Sequence, residues 1–318
     1  MKNQFTQLKQ HIHQTIIGQD KLIDRLLIAL LSEGHILIES VPGLAKTTAV
    51  KALASGMDAS FQRIQFTPDL IPGDITGTDI FTPQSGNFQF MPGPIFHDII
   101  LADEINRAPP KVQSALLEAM QEQQVTTGGV SRHLSDTFIV IATQNPLEHE
   151  GTYPLPEAQL DRFFMKLTLN YPSEEEELQI LRLDQQQNNA NDKTSAACSL
   201  NKDTLIKARQ EVSHIHMDEM LERYIVTLIS ATREPGRWDE QFNDCLSYGA
   251  SPRATLALSR AAKAYAFLRD RDFVEPGDIM EVAHDVLNHR IGLNFHARAE
   301  GLTHQTLINR LIDAVPVP

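Results

Sequence analysis

Hydrophobic and polar residues alternate with two periods along the first half of the chain. From Lys21 to Leu31 the apolar positions recur every three or four residues, which predicts an amphipathic helix. Further helices are predicted at 47–55 and 110–122. Short continuous apolar runs of the kind that forms buried strands occur at 35–39, 99–102 and 138–142. Strands that alternate with helices predict an α/β fold, with a parallel sheet sandwiched by helices.

Proline and glycine residues crowd the stretch from 67 to 94, which rules out one long helix there. Within it, Ile80-Phe81 and residues 88–90 flank a Ser-Gly-Asn turn and predict a hairpin. A second candidate hairpin spans residues 125–134 around Gly128-Gly129. We expect both hairpins to be surface insertions of the sheet domain.

The second half of the chain begins with a polar stretch, Asp184 to Ser199, that has too few apolar residues to pack. Beyond it the apolar spacing predicts helices at 202–212, 217–232, 251–270 and 276–287. No strand-like run competes with them, so we expect a small helical bundle. The predicted organisation is a sheet domain at 1–185, a polar linker at 186–200 and an all-α domain at 201–318.

Composition narrows the class of protein. The 318 residues suffice for two domains with buried cores, and no apolar run approaches the roughly 18 to 20 residues of a membrane span. Acidic residues outnumber basic ones by 41 to 28, and the net charge of -13 makes nucleic acid an unlikely partner. Cys198 and Cys245 form no disulfide framework. The polar first 13 residues lack a signal-peptide pattern, so we expect a cytoplasmic protein.

A phosphate-binding loop is the first candidate for chemistry. Residues 40–47, Ser-Val-Pro-Gly-Leu-Ala-Lys-Thr, stand between a predicted strand and a predicted helix, where backbone N–H groups can hold a phosphate. In such a loop Lys46 reaches the β- and γ-phosphates of ATP, and the Thr47 hydroxyl ligates Mg²⁺. The strict G-x-x-x-x-G-K-[ST] pattern requires glycine at Ser40 and Ala45, so an ordinary strand-to-helix turn is the alternative.

Two further strand ends are predicted to meet this loop. Asp103 and Glu104 follow the strand at 99–102, and ligands of open α/β sheets bind outside the carboxyl ends of the strands. There Asp103 would hold the Mg²⁺, and Glu104 would orient and polarise the attacking water. Asn145 follows the strand at 138–142 and would reach a γ-phosphate or the water. The alternative is a solvated Asp-Glu pair and a turn asparagine before Pro146.

Four motifs carry a family resemblance. They are residues 43–47 (Gly-Leu-Ala-Lys-Thr), 102–108 (Ala-Asp-Glu-Ile-Asn-Arg-Ala), 142–146 (Ala-Thr-Gln-Asn-Pro) and 151–163 (Gly-Thr-Tyr-Pro-Leu-Pro-Glu-Ala-Gln-Leu-Asp-Arg-Phe). In this order they closely resemble the MoxR family of AAA+ ATPases. The resemblance implies an AAA+ P-loop core with a helical lid, usually assembled as a hexameric ring. It also implies ATP and Mg²⁺ as cofactors, client proteins to remodel, and partners with von Willebrand factor A-like domains. Ser40 departs from the glycine usual in the family.

The resemblance also implies roles for single residues. Asn145 matches the sensor 1 position, Arg162 the arginine finger offered to a neighbouring subunit, and Arg253 the sensor 2 arginine of the lid. The stretch 67–94 matches the helix-2 insertion, and 124–134 the pre-sensor hairpin. The implied nucleotide contacts are Ile17, Gly18, Pro42, Gly43, Leu44, Ala45, Lys46, Thr47 and Thr48.

Two other classes of function stay open at this point. Related AAA+ proteins with similar insertions translocate nucleic acid, although the turns of both predicted hairpins carry few basic residues, with Arg132 and His133 the nearest. A scaffold that binds nucleotide with little hydrolysis is favoured only if Ser40 and Ala45 impair the loop. An ATPase assay at several protein concentrations separates the scaffold from a ring enzyme, whose specific activity rises as subunits associate.

Overall fold

The computed structural model describes residues 2–41, 43–44, 46–83, 86–146, 151–189 and 200–318. Its strands are β1 (Ile36–Ser40), β2 (Phe61–Gln65), β3 (Gly77–Thr82), β4 (Asn87–Pro92), β5 (Ile99–Asp103), β6 (Gln124–Thr127), β7 (Val130–His133), β8 (Ile139–Gln144), β9 (Met165–Leu169), β10 (Leu246–Tyr248) and β11 (Gly292–Leu293). Its helices are α1 (Lys2–His13), α2 (Asp20–Leu31), α3 (Lys46–Gly56), α4 (Pro72–Thr76), α5 (Pro110–Glu122), α6 (Glu157–Leu160), α7 (Glu174–Asn189), α8 (Lys202–Ser213), α9 (Glu219–Ala231), α10 (Pro252–Leu268), α11 (Pro276–Leu287), α12 (Phe295–Ala299) and α13 (His304–Ala314).

A five-stranded sheet in the order β2-β5-β8-β1-β9 forms the centre of the first half of the chain. The β2–β5, β5–β8 and β8–β1 pairs are parallel. Ile99, Ile100 and Leu101 of β5 are completely buried, because both faces of the central strands are covered. The predicted α/β fold with a parallel sheet is therefore confirmed.

Both predicted hairpins are present beside the sheet. Strands β3 and β4 pair in antiparallel fashion, as do β6 and β7. Gly77 opens the first hairpin with a φ of +90°, and a Cβ there would lie 2.4 Å from the carbonyl oxygen of Met91. The hairpins touch through Arg132, whose guanidinium lies 3.7 Å from the ring centre of Phe90 and 3.7 Å from Asp79. The two insertions therefore form one surface feature.

The amino edge of the sheet carries a carboxylate with many partners. Asp98, just before β5, is buried and accepts hydrogen bonds from Ser60 N (2.8 Å) and Ser60 Oγ (2.6 Å). It also accepts from Thr137 Oγ1 (2.8 Å), Ser135 Oγ and Lys202 Nζ (2.8 Å). Burial alone would raise the pKa of Asp98, but these hydrogen bonds outweigh it and hold the pKa well below its usual range.

The chain divides into two compact units. The first unit contains residues 3–154 and 167–206, and the second contains 155–166 and 207–318. The second unit thus includes segment 155–166, which lies inside the predicted sheet domain. The predicted linker at 186–200 begins within α7, continues through 190–199, outside the described residues, and ends at Leu200, which forms a β-bridge with Met57 of the first unit.

Helices make up most of the second unit, and α10 packs against both α9 and α11. The helical lid is therefore confirmed, but the predicted all-α domain also contains a short antiparallel pair, β10 with β11. Strands of two or three residues leave no periodic pattern in the sequence, which is why this pair is absent from the prediction. Across the described ranges, no helix is both long and apolar enough to cross a membrane.

Candidate active site

The predicted phosphate loop joins the end of β1 to the start of α3. Ser40 ends β1 and is buried, and α3 begins at Lys46. Pro42 and Ala45 lie outside the described residues. Gly43 has a left-handed φ of +87°, and a Cβ placed there would meet nothing within 4 Å. Glycine at this position therefore allows the left-handed turn of the backbone and is not needed to make room for neighbouring atoms.

Lys46 is half-buried at the first position of α3. Its Nζ donates to the carbonyl oxygen of Ser40 at 3.5 Å. Burial lowers the pKa of Lys46, and the charges of Asp103 and Glu104 oppose this shift. The ammonium group and both carboxylates therefore act on one another at this edge of the sheet. The remaining nucleotide contacts implied for this segment are Leu44 (buried), Thr47 (half-buried) and Thr48 (exposed).

Asp103 ends β5, and both of its carboxylate oxygens accept hydrogen bonds. Oδ1 accepts from Thr143 Oγ1 at 2.6 Å, and Oδ2 accepts from Arg63 at 2.6 Å (Nη2) and 3.0 Å (Nε). Arg63 belongs to the neighbouring strand β2, and its side chain is 47% exposed. The Asp103 side chain is only 13% exposed, so this ion pair is open to solvent mainly on the arginine side.

Glu104 has a left-handed backbone, with φ of +59°, so the extended conformation of β5 ends at Asp103. Its backbone N–H donates to Thr143 Oγ1 at 2.9 Å, so one hydroxyl holds both acidic residues. The carboxylate accepts from Gln65 Nε2 at 2.9 Å and lies 3.1 Å from Arg107 Nε. Each of these partners fixes the Glu104 carboxylate at the carboxyl edge of the sheet.

Asn145 follows β8 and is buried. The pairing of Glu39 with Gln144 places Asn145 level with Ser40, where the phosphate loop begins. Strands β1, β5 and β8 are parallel neighbours, so Lys46, Asp103, Glu104 and Asn145 all follow strand ends at one edge.

Gly18, one of the implied nucleotide contacts, packs against the first turn of α7. Ile17 and Gly18 lie between α1 and α2, and Gly18 has a φ of +73°. A Cβ at Gly18 would lie 2.6 Å from Cδ of Glu176. The backbone conformation favours glycine at this position, and a larger residue would also displace the Glu176 side chain.

Arg162 and Arg253 lie in the second unit. Arg162 is half-buried and follows α6, within segment 155–166. Arg253 is the second residue of α10, whose N-cap Ser251 accepts from the Arg253 N–H at 3.2 Å. The Arg253 side chain is 53% exposed, and its Nη1 lies 3.4 Å from Oδ2 of Asp161.

Four residues of the site were missed by sequence reasoning: Arg63, Gln65, Arg107 and Thr143. Thr143 and Arg107 stand inside the motifs quoted above, so their position beside Asp103 and Glu104 was the available signal. Arg63 and Gln65 come from β2, which pairs Gln65 with Asp103. Only the order of strands in the sheet reveals that pairing.

This fold and this site define a class, the P-loop ATPases with a helical lid. Residues 35–165 match the family described as "ATPase family associated with various cellular activities (AAA)", and residues 240–311 match the AAA lid domain. The chain belongs to the MoxR family of AAA+ ATPases, as its motifs predicted, and it is an ATPase with a chaperone-like role.

Three relatives support this membership. The chain is 44% identical over 309 residues to YeaC of Bacillus subtilis, covering 97% of this chain and 93% of YeaC. It is also 44% identical to chaperone MoxR1 of Mycobacterium tuberculosis, covering 96% of this chain and 80% of MoxR1. A crystal structure of a candidate ATPase from Cytophaga hutchinsonii superposes with a TM-score of 0.92 at 46% identity, covering 100% of this chain and 96% of that one.

Proposed function

We propose that this chain is a Mg²⁺-dependent ring ATPase whose cycle remodels client proteins in the cytoplasm, the compartment that supplies ATP. One observation carries the proposal: a half-buried lysine, Lys46, lies within electrostatic reach of Asp103 and Glu104 at the carboxyl edge of a parallel sheet. A cation for the phosphates and two acids for metal and water are what phosphoryl transfer to water requires.

The side chains at this edge fit Mg²⁺ as a partner of ATP. Mg²⁺ prefers hard oxygen ligands and usually binds through one or two carboxylates together with phosphate oxygens and water. Asp103 and the Thr47 hydroxyl are the donors that would hold it. When bound, the ion neutralises charge on the phosphates. Arg63 is the exposed cation that partners Asp103 in this structure, so Mg²⁺ and Arg63 would compete for one carboxylate.

The remaining residues act on water and phosphate. Glu104 is positioned by Gln65 and Arg107 to orient the attacking water. Lys46 and Asn145 bind the γ-phosphate from the loop and from the end of β8. In this proposal Arg253 senses the γ-phosphate from the lid, and Arg162 reaches the site of the neighbouring subunit. Turnover then requires assembly, and we propose a hexamer that works with a partner carrying a von Willebrand factor A-like domain.

Hydrolysis is tested first with Glu104→Gln. We expect this variant to bind ATP normally and to turn it over about 10²- to 10⁴-fold more slowly, because the general base is lost. Specific activity of the parent should rise with protein concentration as rings form. Glu118→Gln, an exposed acid on α5, is the matched control and should hydrolyse at the parental rate. A parent that binds ATP without measurable turnover would instead support the nucleotide-bound scaffold.

The paired hairpins supply the surface on which we propose that clients bind. Exposed apolar side chains cluster there, and this client surface consists of Ile80, Phe81, Phe88, Met91 and Val130. The rings of Phe81 and Phe88 meet edge to face, with centroids 5.4 Å apart. Exposed apolar clusters on a folded protein mark interaction sites, and these side chains suit an apolar segment of a client chain. Arg132 is engaged by Asp79 and Phe90, which argues against a strand-gripping role in a nucleic-acid motor.

Client binding is tested by changing exposed phenylalanines. Phe88→Ser removes a ring that is 72% exposed at the client surface, and Phe295→Ser removes a ring that is 85% exposed on the lid. The Glu104→Gln protein should retain ATP and hold clients, so each change is made in that background. We expect Phe88→Ser to lose most captured client in a pull-down and Phe295→Ser to retain it. Equal capture by the two variants would place the client elsewhere.

A further inference from the structure

One carboxylate in the second unit contacts three functional groups at once. Oδ1 of Asp161 accepts from Arg290 Nε at 2.9 Å. Its Oδ2 accepts from Ser251 Oγ at 2.9 Å and lies 3.4 Å from Nη1 of Arg253. Asp161 thus binds the helix start that carries Arg253, and it immediately precedes Arg162 in the chain. Of the two arginines proposed to touch phosphate, Arg253 therefore contacts Asp161 and Arg162 follows Asp161 directly in the chain.

Arg290 fixes the backbone around Arg162. Its guanidinium is almost fully buried and donates to the carbonyl oxygens of Asp161 (3.3 Å), Phe163 and Phe164 (3.1 Å). His289 adds a hydrogen bond of 3.0 Å between its Nε2 and the Phe163 carbonyl oxygen. A guanidinium that binds carbonyl groups on both sides of Arg162 leaves that segment little freedom to move apart from the lid.

We propose that Asp161 is a positioning residue that links Arg253 to Arg162. In this structure it holds Arg253 on the lid, and the γ-phosphate of ATP must draw Arg253 away from it. The same carboxylate, fixed by Arg290, orients the backbone that presents Arg162 to the neighbouring subunit. When the lid moves on binding nucleotide in one subunit, the position of Arg162 at the active site of the neighbouring subunit would therefore change. The inference rests on the proposed role of Arg162 in that neighbouring site.

Mixed rings distinguish a positioning role from a structural one. Arg162→Ala subunits lack the finger but keep their own site, whereas Glu104→Gln subunits keep the finger and lack hydrolysis. An equal mixture should regain about a quarter of the parental rate, since that share of sites pairs an intact site with an intact finger. If Asp161 positions the finger, Asp161→Asn subunits should be rescued by Glu104→Gln subunits and not by Arg162→Ala subunits.

Every outcome of the mixing experiment decides a claim. No recovery between Arg162→Ala and Glu104→Gln would overturn the proposed finger, and with it the present inference. If the mixture of Arg162→Ala and Glu104→Gln subunits recovers activity, three results for Asp161→Asn would overturn the proposed link between Arg253 and Arg162. The Asp161→Asn subunits could be fully active alone, could be rescued by Arg162→Ala subunits, or could be rescued by neither partner. Should Asp161→Asn fail to fold, Arg290→Lys keeps the buried charge while losing carbonyl contacts, and it should give the same rescue pattern.

ATP affinity provides the second readout, which a purely structural role would not change. In the Glu104→Gln background, Asp161→Asn should bind ATP about two- to fivefold more tightly, because Arg253 no longer leaves an ion pair to reach phosphate. The gain should vanish when Arg253 is alanine. Glu219→Gln, which removes the lid ion pair with Arg223, should leave affinity and rescue unchanged. An unchanged affinity of Asp161→Asn for ATP would contradict the proposal that Asp161 holds Arg253 away from the phosphate.

Discussion

Strand β5 carries an aspartate at each end, and the two carboxylates differ in how they are bound. Asp98, at the amino end, accepts hydrogen bonds from three hydroxyls, a backbone N–H and a lysine. Asp103, at the carboxyl end, has one hydroxyl and one exposed arginine. A buried charge with many short-range partners stabilises a fold, whereas a charge with one exchangeable partner remains able to bind something else. The number of partners and the burial of the carboxylate itself, 3% exposed in Asp98 and 13% in Asp103, therefore separate the structural acid from the functional one.

The largest expected effect distinguishes the two acids by activity. Asp103→Asn should lower kcat about 10²- to 10³-fold, since losing the metal ligand removes several kcal/mol of charge stabilisation in the transition state. Asp98→Asn should keep the parental rate per folded molecule. Steady-state ATP hydrolysis, corrected for the folded fraction by circular dichroism, measures both. Equal losses in the two variants would mean that partner number does not distinguish these sites.

The next largest effect is on stability, where we expect Asp98 to contribute more than Asp103. Asp98→Asn should lower the free energy of unfolding by about 3 kcal/mol at pH 7, because five hydrogen-bond donors lose their charged, buried acceptor. Asp103→Asn should lower it by less than about 1 kcal/mol, since Asp103 has fewer hydrogen-bond partners than Asp98 and is less buried. Urea denaturation at pH 7 gives both values.

The dependence of stability on pH gives a further test of the role of Asp98. The folded protein holds the pKa of Asp98 below the roughly 3.9 of an unfolded chain, so ionisation contributes its stability above that pH. This contribution is lost as the pH falls toward the folded value. The stability gap between the parent and Asp98→Asn should therefore shrink below about pH 4. A gap that stays constant from pH 7 to pH 3 would assign the loss to packing instead.

The smallest effect concerns Arg63. Arg63→Met removes the cation that competes for Asp103, so half-saturation by Mg²⁺ should occur at about two- to fivefold lower concentration. Arg107→Met is the matched control, because Arg107 pairs with Glu104 instead. Mg²⁺ titrations of ATP hydrolysis compare the two, and an equal shift in both variants would remove Arg63 from this role.

The elements that the sequence predicts best are those buried on both faces. Strands β1, β5 and β8 stand out as apolar runs because nearly all of their residues are buried. Strand β2 lies at the edge of the sheet, and of its five residues only Ile64 is buried, so it leaves no such run. Helix α1 buries Phe5, Leu8 and Ile12 within a polar segment, a stripe too narrow to notice beforehand.

The residues of the candidate site likewise fall into those that the sequence predicts and those that it does not. Residues that follow predicted strands within one motif, such as Asp103, Glu104 and Asn145, are found from local order along the chain. Arg63 and Gln65 reach the same edge only because β2 pairs with β5, a contact between strands nearly 40 residues apart. The shared partner of Arg253 and Arg290 at Asp161 likewise depends on tertiary packing. Periodicity carries no information on such long-range contacts.

The backbone of Glu104 limits how an engineer should inactivate this enzyme. A left-handed φ of +59° costs a residue with a side chain about 1–2 kcal/mol, and branching at Cβ adds a steric clash. Valine, isoleucine or threonine at this position would push the turn out of shape and release the Thr143 hydroxyl from its place between two acids. Glutamine or asparagine tolerates the conformation, so a trap for bound nucleotide built with either should keep the geometry it is meant to report.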